Sequence, residues 1–240
     1  MKISEAADEF MVSCLPVKTR KLKHPRDTFG ASMVQGASFD PEFDMPLICS
    51  DSFVPTALVP FSVAKRSDWT NFDCAVHFCE RDQDIEPFWT NPNKYLSKLK
   101  KFEGVIGLDL STCVDFPRAL KVWNTYRNRA SVYKLQSAGI RSIPLLRGDP
   151  DVLDWEIAGL EQGCAVAVSP RGCIRDLNNR KRFVRGLKNI VDALMPSQII
   201  SYGANSWGVL NYPIGLGIPV HEYLSRGKGR LGGGDLNVKI

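Results

Sequence analysis

The sequence predicts an α/β fold: a mostly parallel sheet or incomplete barrel covered by helices, in a single domain. Three observations predict it. From residue 46 onward, short apolar runs alternate with stretches of helical period, as in parallel sheets whose crossovers are helices. Two of those helical stretches open on Asn or Asp beside Pro and a third on Asp, all start signals. Finally, 240 residues at 44% hydrophobic and 24% charged can bury one sizeable core without disulfides.

The elements follow in chain order. Residues 1–45 hold a short amphipathic stretch, Ser4 to Met11, then a polar basic segment that includes KTRKLKHPRD; these read as a basic arm. The α/β domain is expected over 46–224, and a basic, Gly-rich tail over 225–240. Candidate strands are 47–50, 58–64, 73–79, 104–109, 141–147, 164–169, 198–203 and 218–223. Eight strands suggest a barrel, but the first three leave no room for helices between them, so an incomplete barrel or open sheet fits better.

Asn91 and Pro92 predict a helix whose Leu96 and Leu99 face the core. Asp149 and Pro150 repeat the device before Leu153, Ile157 and Leu160. Asp176 precedes a third helix with Phe183, Leu187, Ile190 and Leu194 inward and Arg180, Lys181, Arg182, Arg185 and Lys188 around them. The longest helix, 116–137, places Ala119, Trp123, Tyr126, Ala130 and Tyr133 on one stripe, read as core. Arg118, Lys121, Arg127, Arg129 and Lys134 flank it as cations at the core margin or as a basic surface.

Composition narrows the function classes. No apolar run approaches the length of a membrane helix, and the amino terminus carries acidic residues where a signal peptide would be apolar. A cytoplasmic protein with no membrane partner is expected. Seven scattered cysteines read as reduced, buried thiols. Cys74, His77 and Cys79 resemble a metal cluster, but strand alternation sets Cys74 on the face opposite His77 and Cys79, so no metal site is assigned. The cofactor is unknown. A net charge of +5, gathered in runs, points to phosphate partners or to solvated basic loops.

In parallel α/β folds ligands bind beyond the carboxyl ends of the strands. That rule selects His77, Asp109 and Asp115 as candidate acid-base residues. Ser111, Arg127, Arg147, Ser169, Arg171, Arg175, Tyr202 and Asn205 are the candidate anion contacts. Some have a structural alternative, Asp115 and Asp149 as helix caps and Arg147 as the ion-pair partner of Asp109, but Asp109 follows an apolar strand and precedes no immediate helix start, which favours a functional role for it. The turns SPRG at 169–172 and YGANS at 202–206 suit phosphate. The tail GKGRLGGGD lacks the spacing and Lys-Ser/Thr pair of a Walker loop, and no G-x-S-x-G, H-E-x-x-H or dinucleotide fingerprint occurs.

WTNPNKYL at 89–96, GVIGLDLS at 104–111 and DFPRALKVWNTYRNRA at 115–130 together resemble a bacterial and phage family catalogued as domain of unknown function 4417. The likeness runs from about Asp44 to Tyr223 through RSIPLLRGD, AVAVSPRGCIRD and IISYGA. It implies an origin in phages or other mobile elements and carries over no activity, cofactor or catalytic residue. Three functions follow as expectations. The first is a mobile-element accessory protein that binds DNA or RNA through its basic arm, helix flanks and tail. The second is an enzyme or sensor for a phosphorylated, nucleotide-like molecule at the strand ends. The third is a binder of host or phage proteins.

Overall fold

In a computed structural model, the described residues are 27, 29–49 and 51–224, with the backbone of Asn237–Val238. The basic run at 17–26 and most of the Gly-rich tail lie outside them. Seven strands run in chain order: β1 Ala57–Pro60, β2 Ala75–Phe78, β3 Gly104–Leu108, β4 Ser142–Ile143, β5 Val166–Val168, β6 Ile199–Tyr202 and β7 Val220–Tyr223. Between them lie α1 Phe61–Ala64, α2 Asp82–Thr90, α3 Asn93–Leu99, α4 Arg118–Ser137, α5 Leu153–Ile157, α6 Leu177–Leu194 and α7 Asn211–Gly215. β8, Asn237–Val238, pairs antiparallel with β1.

β1 to β4 pair in parallel and in sequence, as do β5 to β7. A single parallel bridge, Leu145 to Ala167, links the two sheets. The sheet curls on itself. Leu58, Ala75, Ile106, Ile143, Ala167, Ile200 and Tyr223, one from each parallel strand, meet in one buried cluster. The Tyr223 hydroxyl donates to Pro55 O at 2.5 Å, and Gln198 Nε2 donates to Phe53 O at 3.1 Å. Both bring the last strands back to the start of the first. Seven parallel strands around one interior make the incomplete barrel that the element pattern predicts, since each inward residue alternates with one facing the helices.

The outer layers are two further cores. Val59, Val76, Phe78, Val105 and Leu108 pack under α1 to α4, and Val166, Val168 and Ile199 pack under α6. Gly107 lets α4 approach, because a Cβ there would lie 2.7 Å from Val132 Cγ2. A register shift between His77 and Phe78 pairs Phe78 with Leu108. Leu108 thereby stays on the helix side with Phe78, and Asp109 turns toward the interior beside Cys79.

Several local expectations change. Of the expected strand 47–50, the described residues 47–49 form none; Ile48 N instead donates to Gly159 O. The packed chain begins before residue 46, with Met33 in a short 3-10 helix and Met45 both buried. α2 had no signal in the periodicity because Pro87 sits inside it, and Asn91 closes α2 rather than opening α3. Asp149 does not cap α5, whose first flanking residue is Val152, and Asp115 does not cap α4, which Pro117 precedes. Asp176 does cap α6, accepting from Asn179 N at 2.9 Å. Cys49 and Cys113 are exposed, while Cys74, Cys79 and Cys164 are buried.

α4 differs most from its reading. Of the expected stripe, Ala130 is buried and Tyr126 packs against the core, but Trp123 is 37% exposed and the buried face also holds Lys121, Thr125, Val132 and Leu135. Of the flanking cations, Lys121, Arg127 and Arg129 are buried, while Arg118 is exposed and Lys134 half-buried. Lys121 pairs with Asp149 at 3.1 Å and Asp151 at 2.6 Å. Arg127 pairs with Glu86 and lies over the Trp89 ring. Arg129 donates to the carbonyls of Glu156 and Ala158, and Arg118 covers Trp155. Periodicity misses this because it weighs residue type, whereas Lys121, Arg127 and Arg129 are buried with their partners. No helix of the described residues is long and apolar enough to cross a membrane.

Candidate functional site

The strand ends bring six of the predicted site residues together. Arg147, just beyond β4, donates from Nε to Asp109 Oδ1 at 2.7 Å and from Nη2 to Asp109 O at 3.2 Å. This two-point contact fixes the guanidinium plane against the end of β3. Burial raises the Asp109 pKa and the Arg147 cation opposes that rise. Burial also works against the Arg147 cation, but Asp109 outweighs it and raises the Arg147 pKa. Each charge thus offsets part of what burial costs the other.

Around the pair lie the remaining four. Cys79 is buried between Asp109, Arg147, Ser169 and Arg171, and burial pushes its thiol well above the usual range. It is therefore no ready nucleophile. The Ser169 hydroxyl donates to Tyr202 O at 3.5 Å. Arg171 donates to Cys79 O at 3.3 Å and stands 5.8 Å from the Tyr202 ring centre, while His77 lies against the same ring at 4.1 Å. His77 Nδ1 accepts from Cys79 N at 3.2 Å. Cys74 belongs to the outer core, on the opposite face as alternation predicts. Among the described residues no group of three or more His, Cys, Asp or Glu is placed to hold a metal ion.

The other predicted residues stand apart. Ser111 is tied to Asp82, whose carboxylate accepts from its hydroxyl at 3.0 Å. Arg127 is spent on Glu86 and Trp89. Asn205 is a loop staple, accepting from Leu210 N at 2.7 Å, while its own N–H donates to Glu222 at 2.7 Å. Asp115 and Arg175 are exposed on the loops before α4 and α6.

Two features escaped the sequence reading as site residues. The first is Glu156, wholly buried, which accepts from the N–H of Arg147 at 3.0 Å and of Gly148 at 2.7 Å. It fixes the turn that presents Arg147, and burial pushes its pKa up to about 7. The second is an open groove of about 390 Å³ on the same rim, between Val114 of the β3–α4 loop and Asn178, Asn179, Lys181, Arg182 and Arg185 of α6. α6 carries five basic residues against one acid, Asp192. Lys188 is taken by Asp192 and Arg182 by Asp149. Lys181 and Arg185 are exposed and make no ion pair among the described residues. The signal was present in NNRKRFVR, a run whose helix contains no acid until its last turn.

Comparison with known proteins agrees with the motifs. The model of the family described as Domain of unknown function (DUF4417) matches residues 37–211. The chain belongs to that family. Its DUF4417 region runs from before β1 to the start of α7, taking in β1 to β6 and so both the Asp109–Arg147 pair and the α6 groove. Among its relatives is the Gene 1 protein of Mycobacterium phage L5, 28% identical over 163 residues, or 67% of this chain and 71% of that one. The Gene 1 protein of Mycobacterium phage D29 is also 28% identical over 163 residues, and the match covers 60% of its length. The chain is thus a member of a phage-associated family. No solved structure matches it.

Proposed function

We propose that this phage-associated DUF4417 protein binds nucleic acid along the α6 groove at the carboxyl-end rim of its barrel. One observation carries the reading. Of the two basic helices, α4 buries Lys121, Arg127 and Arg129 in ion pairs and carbonyl contacts, whereas α6 leaves Lys181 and Arg185 exposed, without carboxylate partners among the described residues. Cations left unpaired beside amide side chains, here Asn178 and Asn179, suit a polyphosphate backbone, which they neutralise while releasing its counterions. Arg175, exposed just before α6, extends the same charge toward the strand ends. The expected contribution of α4 is withdrawn, and the basic arm and tail, outside the described residues, are not needed for the groove.

Filter binding of labelled DNA and RNA at about 50 mM and about 200 mM salt tests the proposal. Affinity should fall steeply between the two, and Lys181→Ala should weaken binding of every sequence. No retention of either nucleic acid at low salt contradicts it.

A second reading is favoured by a separate observation, the convergence of Asp109, Arg147 and Arg171 at the strand ends. In it a phosphorylated small molecule is held by the two arginines, with Asp109 as the base. Thermal shifts with nucleotides and inorganic phosphate should then rise in the wild type and vanish in Arg171→Ala. Unchanged melting across that panel removes this second reading and leaves the first untouched.

A further inference from the structure

Trp207 lies in the loop after β6, within a short 3-10 turn, and is 74% exposed, the most exposed large hydrophobic side chain among the described residues. Its backbone is left-handed, with φ 64° and ψ 18°. That region favours glycine, and a bulky aromatic occupies it at an energetic cost. Burial does not repay the cost here. Among the described residues the ring's one ring or cation partner is the guanidinium of Arg180, centred 4.5 Å from it. Arg180 in turn makes no ion pair or side-chain hydrogen bond among the described residues, and its Nε is shielded from solvent with no acceptor. Arg180 belongs to the first turn of α6 and directly precedes Lys181 of the groove.

An exposed aromatic face backed by an arginine of the helix that also carries the exposed Lys181 and Arg185 combines the two parts of a single-strand binding surface: a platform for an unstacked base and a track for the backbone. We propose that Trp207 stacks a nucleobase and gives the α6 surface a preference for single-stranded over duplex nucleic acid. The strand would cross the first turns of α6, its phosphates on Lys181 and Arg185 and one base on the free face of the indole. In a duplex each base is already stacked between its neighbours, so Trp207 would gain nothing from it. The inference rests on the nucleic-acid reading above and deepens it.

The test is fluorescence anisotropy with the full-length chain, using a labelled single-stranded oligonucleotide and the duplex of the same sequence. The proteins are the wild type, Trp207→Ala, Trp207→Phe and Lys181→Ala. Trp207→Ala should weaken single-strand binding by about tenfold or more and leave duplex binding within about twofold, while Trp207→Phe should restore most of the loss. Lys181→Ala should weaken both. Equal loss on both nucleic acids in Trp207→Ala, or no loss on the single strand, overturns the stacking role while the groove reading stands. Absence of binding to either oligonucleotide by the wild type overturns both.

Discussion

Arg147 has two partners, each of which constrains the other. Its guanidinium holds Asp109, and its backbone N–H is held by Glu156. Asp109→Ala strands a half-buried cation, and chemical denaturation should report a loss of about 2–4 kcal/mol. The double variant with Arg147→Met should recover part of it, because no unpaired charge remains; a double variant worse than the sum of the two singles would contradict the pairing. Glu156 gives a pH signature. Its native pKa of about 7 lies above its ordinary value of 4.5, so between those values the native state holds a proton that the unfolded chain has released. Its contribution is therefore most favourable below about pH 4.5 and is lost as pH rises through about 7, by roughly 3 kcal/mol in all. Urea unfolding at about pH 5 and about pH 8 should show that decline in the wild type. Glu156→Gln should flatten it, although its amide N–H faces one of the two backbone donors and lowers stability at both pH values. An equal slope in both proteins would show that Glu156 does not titrate in this range.

At the scale of elements, the turn after β4 and helix α6 meet backbone to backbone. A Cβ on Gly186 would lie 2.5 Å from Gly148 O, and Gly148 has φ 65°. Neither backbone can yield without moving the Arg147 turn. Gly186→Ala should therefore cost about 2–3 kcal/mol, seen as a lowered melting temperature; an unchanged melting temperature would mean that this contact is loose. The central strands were legible in the sequence because strands buried on both faces read as continuous apolar runs, as in VIGL and AVAV. α6 was legible from its cap and its apolar face. α2 was hidden by Pro87, and the inward face of α4 by its charges, since a pattern of hydrophobicity cannot register Lys121 buried between two aspartates. Of the residues that the strand-end rule selected without any contact information, His77, Asp109, Arg147, Ser169, Arg171 and Tyr202 lie together, while Ser111, Asp115, Arg175 and Asn205 do not. The rule missed Glu156 and Trp207 because their roles depend on what folds beside them: two loop N–H groups in one case, Arg180 in the other.

For the whole molecule, curling seven parallel strands into one interior places every β-to-α loop on one rim. The rim carries two kinds of charge: a closed Asp109–Arg147 pair near the interior and unpaired cations on α6 outside it. The net charge of +5 sets only a weak general attraction for polyanions, whereas its local arrangement sets where they would bind. The central claim is that exposed, unpaired α6 cations contact phosphates. Its most direct measurement is the slope of log affinity for a single-stranded oligonucleotide against log salt, in the wild type and in the Lys181→Ala, Arg185→Ala double variant. Each phosphate contact contributes about 0.7 to the slope on a single strand, so the double variant should be shallower by roughly 1.4. Weaker binding with an unchanged slope, or an unchanged affinity, would contradict the assignment of phosphate contacts to α6.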